Sequence, residues 1–265
     1  MDLGLKGKRA IVTGGSKGIG KAVARSLAEE GCDVVIAART LDTLEDTAVE
    51  LHQGTGQRVV PIVVDTSSLD SVEAMVGAAA DALGGVDILV NSAAQPMGQG
   101  RAPKLAEITD DIFWGDVNVK VMGYLRCAQA VAPRMAERGW GRIINISGLG
   151  ARSTGSAVGS MRNVAVAAMT KNLADELGPK GINVTVVHPG LTRTEATPGV
   201  VARLAEAQGI TPEEAERSLG RNTIGRIVES SEVAWVVTFL ASPRSVSVNG
   251  DAIACGGGAP GAIYY

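Results

Sequence analysis

The stretch TGGSKGIG, Thr13 to Gly20, sets glycines at 14, 18 and 20 directly after a β-rich run and just before the helical run AVARSLAEEG, which Gly31 ends. Glycines so placed permit a tight turn, close approach of backbone to a pyrophosphate and close helix-to-sheet packing, with the helix amino terminus facing the anion. The spacing is G-x-x-x-G-x-G rather than the G-x-G-x-x-G of the usual dinucleotide fingerprint. The expected chemistry is nucleotide binding, with Gly14, Ser16, Lys17, Gly18, Ile19 and Gly20 as the cradle. A second stretch, GSAVGSMRN from Gly155 to Asn163, offers hydroxyls, an arginine and an amide, and no group suited to proton transfer.

Elements of two kinds must position these residues. Short β-rich runs (RAIVT, DVVIAA, VVPIVVD, VDILVN, GRIINIS, INVTVV and DAIAC) alternate with longer amphipathic runs. Such alternation predicts parallel strands joined by crossover helices. The strands are nearly continuously apolar, as strands are when helices cover both faces of the sheet. The predicted fold is α/β: a Rossmann-type, doubly wound sheet of about seven parallel strands in a single domain over residues 1–265. The segment 192–226, rich in Thr, Pro, Gly and charge, is expected to form a mobile substrate lid.

Composition narrows the function. The formal net charge of −3, with both signs interspersed, provides no basic face for nucleic acid or an anionic membrane. Cys32, Cys127 and Cys255 are widely separated and lie in apolar surroundings. They suit reduced, buried thiols in a cytoplasmic protein, and neither a disulfide framework nor a metal site. No segment approaches the length of about 18 uninterrupted apolar residues that a membrane span requires, and no leader pattern opens the chain.

The motifs together resemble the short-chain dehydrogenase/reductase family over nearly the whole chain. TGGSKGIG is similar to its cofactor loop, Asp65 to its adenine contact and NSAA at 91–94 to its NNAG motif, with Ser92 for Asn and Ala94 for Gly. Asn118 in WGDVNVK, Ser147 in IINISG and PGLTRT from Pro189 to Thr194 fall in family order. The resemblance implies that Gly14, Ser16, Lys17, Gly18, Ile19, Gly20, Arg39, Asp65, Asn91, Asn163 and Thr194 bind a nicotinamide cofactor. It also implies that Ser147 polarises a carbonyl and that Asn118 supports a water relay. Members that prefer NAD carry an acid at the end of the second strand, where Ala38 and Arg39 stand here. Arg39, seconded by Lys17, would bind a 2′-phosphate through charge-assisted hydrogen bonds, so NADP is expected over NAD.

The resemblance also exposes a gap. The family protonates its carbonyl with a Tyr about a dozen residues after the Ser, assisted by a Lys four residues further on. Counting back from AVAAMTKNLADEL puts Gly159 at the Tyr and Asn163 at the Lys, and no tyrosine occurs between Tyr124 and Tyr264. Asn163 supplies no charge, although its amide can bond a ribose hydroxyl. Of the two histidines, His188 before the PG of the sixth strand reads as structural and His52 as surface; Arg152 and Arg162 can steady an anion and cannot shuttle a proton. Three uses of such a site stay open on the residues: an oxidoreductase with a replacement acid, a non-catalytic NADP-binding sensor or oligomer partner, and a lyase-type use of the pocket. A small carbonyl or alcohol is the implied substrate and a homotetramer the implied assembly. The tail 256–265, within CGGGAPGAIYY, is expected to place Tyr264 or Tyr265 at a subunit interface.

Overall fold

The computed structural model describes residues 1–94, 102–261 and 263. In chain order the elements are β1 (Arg9–Thr13), α1 (Gly18–Glu29), β2 (Asp33–Ala38), α2 (Leu41–Thr55), β3 (Val59–Val63), α3 (Leu69–Leu83), β4 (Ile88–Asn91), α4 (Asp110–Val117), α5 (Gly123–Ala136), β5 (Gly141–Ile146), α6 (Ala157–Leu177), β6 (Ile182–Pro189), β7 (Thr192–Arg193), α7 (Thr197–Gln208), α8 (Pro212–Leu219), β8 (Val228–Glu229), α9 (Ser230–Ala241) and β9 (Ala252–Cys255). Seven strands form one parallel sheet in the order β3-β2-β1-β4-β5-β6-β9. Every run read as a strand is therefore a strand of one sheet, and the doubly wound reading holds.

Alternation along the strands builds two cores. Ala10 and Val12 of β1 pack with Val23, Leu27 and Val237 from α1 and α9; Ile11, between them, packs with Met75, Val131 and Leu89 on the opposite face. Leu27 and Ile11 are fully buried. A Leu→Ala change at such a position typically costs about 2–5 kcal/mol.

Strand order reverses between β1 and β4, which pair from Ala10 with Ile88 to Thr13 with Asn91. Carboxyl ends of strands splay apart at a reversal, leaving a crevice suited to a ligand. The segment between β6 and α9 holds β7, α7, α8 and β8, with β7 and β8 paired in a separate two-stranded ribbon. Between α4 and α5 the helix widens into a π-helical turn over Asn118–Met122, where the Gly123 N–H reaches back to the Asn118 carbonyl. Wide turns of this kind recur at functional sites because they re-aim side chains.

Candidate active site

A cleft of about 790 Å³ opens at the carboxyl ends of the strands. Its walls include Gly14, Ser16, Lys17, Gly18, Ile19, Gly20, Arg39, Asp65 and Thr194 from the expected cofactor residues, together with Ser147. The glycines earn their places by contact. Gly14 has φ +66°, and a Cβ there would sit 2.8 Å from the Ser92 carbonyl oxygen; a Cβ on Gly20 would sit 2.2 Å from the Gly14 oxygen. Thr13 Oγ1 accepts hydrogen bonds from the backbone N–H groups of Ser92 (3.1 Å) and Ala93 (3.3 Å), which fastens the NSAA segment to β1 beside the loop.

The amino terminus of α1 already holds an anion of the protein's own. Lys17, its N-cap, makes no side-chain cap bond, and the Gly18 N–H instead donates to Glu195 Oε2 at 2.9 Å. Asp65 Oδ1 accepts from the N–H (2.9 Å) and hydroxyl (2.7 Å) of Ser67, and these bonds hold its carboxyl below the usual range.

The remaining expected residues lie off the cleft wall. Asn91 is fully buried and donates through Nδ2 to Asn145 Oδ1 at 2.9 Å; Asn145 in turn donates to Thr170 Oγ1 at 2.9 Å, tying β4 and β5 to α6. Asn118 belongs to a separate hollow of about 410 Å³ with Trp114 and Met122. Its Oδ1 accepts from Arg126 Nη2 at 2.9 Å and its carbonyl from Nη1 at 3.2 Å. The structure thus brings Ser147 to the nucleotide cradle and leaves the Asn118 side chain bonded to Arg126.

Asn163 stands at a different junction. Its side chain is buried against Gly148 and Gly150, where added Cβ atoms would each lie 3.1 Å from Nδ2. The Asn163 carbonyl accepts the Ser147 hydroxyl at 3.0 Å, and its Oδ1 accepts from Lys120 Nζ at 3.3 Å. Lys120 Nζ also donates to the Ser147 carbonyl at 2.9 Å, which closes a ring of three residues. Sequence reasoning missed Lys120. Its only signal is a lysine within the apolar run VNVKVMGY, a pattern that normally means a side chain reaching out to water. Here the π-helical turn carries it inward, to 4% exposure at the cleft beside Ser147. Burial, with the nearby Arg162 charge, lowers its pKa to about 7, against a weaker upward pull from Asp116.

The other titratable groups are committed. Tyr124 also lines the cleft, but its hydroxyl donates to the Ile146 carbonyl at 3.0 Å, and burial raises its pKa. Arg162 binds both oxygens of the buried Asp116 at 2.7 Å. His188 is buried; burial, then the Arg152 and Lys120 charges, lowers its pKa to about 4, and its Nδ1 accepts the Gly148 N–H at 3.4 Å. His52 Nδ1 faces the Gln57 carbonyl on the surface. Burial pushes the thiols of Cys32 and Cys127 up to about 12, which keeps them protonated. Among the described residues no cluster of His, Cys, Asp and Glu suits a metal, and no helix is long and apolar enough to cross a membrane.

A doubly wound parallel sheet with a glycine cradle at its switch point defines a nucleotide-binding protein of the Rossmann class. Residues 14–259 match the family model described as enoyl-(acyl carrier protein) reductase, and the chain belongs to the short-chain dehydrogenase/reductase family. It is 32% identical to the 3-oxoacyl-acyl-carrier-protein reductase FabG of Vibrio cholerae, covering 97% of this chain and 98% of that one. Among solved structures it resembles L-sorbose reductase from Gluconobacter frateurii complexed with NADPH and L-sorbose, with a TM-score of 0.91, 30% identity and coverage of 99% and 100%. A short chain dehydrogenase from Burkholderia cenocepacia in complex with NADP gives a TM-score of 0.82, 34% identity and coverage of 96% and 98%.

Proposed function

We propose that this chain is an NADP-dependent oxidoreductase acting on a small carbonyl or alcohol, with Gly159 and Asn163 in place of the family's Tyr and Lys. The observation that carries the reading is the presence of Ser147 in the same cleft as the glycine cradle and Arg39. The residues fit the cofactor: Gly14 and Gly20 let the turn pack tightly against its own backbone and the Ser92 segment, where a Cβ would collide, and this keeps the loop and the start of α1 on the cleft wall; Arg39 and Lys17 are cations suited to a 2′-phosphate. When bound, the reduced nicotinamide supplies a hydride. Ser147, 8% exposed, carries the hydroxyl that would polarise a carbonyl oxygen by turning into the cleft from the Asn163 carbonyl to which it now donates. Asp65 and Thr194 would hold the cofactor's adenine and nicotinamide halves. The ribbon of β7 and β8 with α7 and α8 would cover the substrate as a lid.

L-sorbose reductase and FabG, whose names describe carbonyl reduction, support the reductase direction. The proposal includes a single domain, a cytoplasmic location and a homotetramer; the tail tyrosines Tyr264 and Tyr265 lie outside the described residues. The test is calorimetric titration with NADPH and NADH, followed by NADPH oxidation with a panel of ketones, diketones and ketoses. Tight NADPH binding, turnover on part of the panel and its loss in Ser147→Ala are expected. A protein that binds neither nucleotide refutes the reading. A second reading, a non-catalytic NADP sensor, is favoured by the lack of a proton donor at 159 and 163. It predicts cofactor binding, no turnover and unchanged affinity in Ser147→Ala.

A further inference from the structure

The family's acid position is empty of acid, yet the ring of Ser147, Asn163 and Lys120 puts a proton-bearing nitrogen at the cleft. Lys120 Nζ carries three hydrogens when charged. Two are directed to the Ser147 carbonyl and to Asn163 Oδ1. Asn163 is neutral and presents its oxygen, so position 163 accepts the ammonium that a lysine at that position would repel. The loss of one cation and the arrival of another are thus a single arrangement, made by residues 43 apart in the chain.

We propose that Lys120 is the proton donor of this site, its ammonium protonating the oxygen of a substrate carbonyl polarised by Ser147. The inference rests on the oxidoreductase reading. In the step, the carbonyl π bond breaks as the carbon gains the hydride that the reduced cofactor supplies. The oxygen gains a proton from Lys120 Nζ, forming an alcohol, and the neutral amine left behind is reprotonated by solvent. In the opposite direction the neutral amine of Lys120 would take the hydroxyl proton while the alcohol carbon gives up its hydride to the oxidised nicotinamide, and the carbonyl π bond forms.

The other proton-bearing groups described nearest Ser147 are engaged with partners in the protein. The Tyr124 hydroxyl on α5 is bonded to the Ile146 carbonyl, and the Arg162 guanidinium on α6 is locked on Asp116 of α4. His188 on β6 uses Nδ1 to accept the Gly148 N–H. Glu195 and Asp65 in the cleft are engaged by Gly18 and Ser67. The groups facing Lys120 are Arg162, which favours its neutral form, Asp116, which opposes that, and the imidazole of His188 on β6, whose own pKa the Lys120 charge helps to lower. Burial dominates these charges, leaving an amine that exchanges its proton near neutral pH, as a general acid requires.

Two measurements test the assignment. In wild-type protein labelled with ¹³C,¹⁵N-lysine, one side-chain signal, missing from Lys120→Met, is expected to titrate near neutral pH, far below the surface lysines, and to shift on saturation with NADPH. A Lys120 signal that titrates with the surface lysines, or ignores NADPH, overturns the proposal whatever the variants do. In stopped-flow NADPH oxidation with 2,3-butanedione and the wider carbonyl panel, Lys120→Met is expected to lose about 10²- to 10⁴-fold in rate with NADPH affinity retained. It also loses the limb of the pH–rate profile that belongs to this group. Lys120→Arg keeps the charge and cannot release the proton, so it is expected to be as slow. A wild-type rate in either variant overturns the proton-donor role alone. A wild type that binds no NADPH, or reduces nothing in the panel, overturns the oxidoreductase reading instead.

Discussion

The Glu195 carboxylate and the Gly18 backbone N–H, 177 residues apart in the chain, meet at 2.9 Å over the first turn of α1. An unsatisfied helix amino terminus is an anion site, and the 12-residue α1 presents it within the nucleotide cleft. Glu195 therefore occupies ground that a cofactor phosphate would contest. Glu195→Gln keeps the shape and removes the charge. It is expected to tighten NADPH binding about two- to fivefold, matching the roughly 0.3–1 kcal/mol of a charge at a helix end. Fluorescence titration at fixed ionic strength checks this; unchanged affinity would show that the carboxylate swings clear at no cost.

Cofactor choice turns on Arg39. It lines the cleft after β2, where Ala38 leaves no carboxylate to repel a phosphate. NADPH should bind more tightly than NADH, and Arg39→Asp should reverse the order, with Lys17→Ala weakening NADPH alone. Equal affinities for the two nucleotides in the wild type would contradict the assignment.

Rebuilding the family pair now has a structural obstacle. A Cβ at Gly159 would lie 2.9 Å from Ser156 Oγ, the atom that caps α6 by accepting the Gly159 N–H at 3.0 Å. Disturbing a cap costs about 1 kcal/mol. Asn163→Lys would set a second ammonium beside Lys120 in place of the oxygen it now bonds. That single change is expected to cost about 3–5 kcal/mol, as an uncompensated buried charge does. Urea unfolding should show the loss in Asn163→Lys and recovery of most of it in Lys120→Met/Asn163→Lys. Equal stabilities of the two variants would mean that the side chains do not meet.

Stability should track the proton on Lys120. Its pKa is about 7 in the fold and 10.5 ordinarily, so between those values the unfolded chain holds more protons than the native one. Stability then rises with pH across that window, by an amount on the order of 5 kcal/mol, and is lowest in this respect below pH 7. Lys120→Met should flatten the slope. His188, lowered from 6.5 to about 4, has the same sign at lower pH: acidification through that interval costs stability because the buried imidazole must take up a charge. Denaturant titrations at several pH values in wild type and Lys120→Met separate the two windows. A wild-type curve that is flat from pH 7 to 10 would disprove the buried amine.

The amino-acid order by itself determined the layered α/β fold and the cradle, because both are written in local terms. Continuous apolar runs, punctuated by Gly14, Gly18 and Gly31, specify strand, turn and helix within a few residues of one another. Ser147 was legible for the same reason, since IINISG is a strand end. What only tertiary structure decided is which polar groups meet at the carboxyl ends of the strands. Lys120 lies 27 residues from Ser147, and a lysine in a helical segment is neither inward nor outward until a π-helical turn and the packing of α4, α5 and α6 settle its direction. Asn118 shows the converse: its type and place suggested a site beside Ser147, while Arg126, two helical turns on, bonds both its side chain and its carbonyl. Burial, and the displacement of a pKa that follows from it, belongs to the assembled core, where water is excluded by residues from distant parts of the chain.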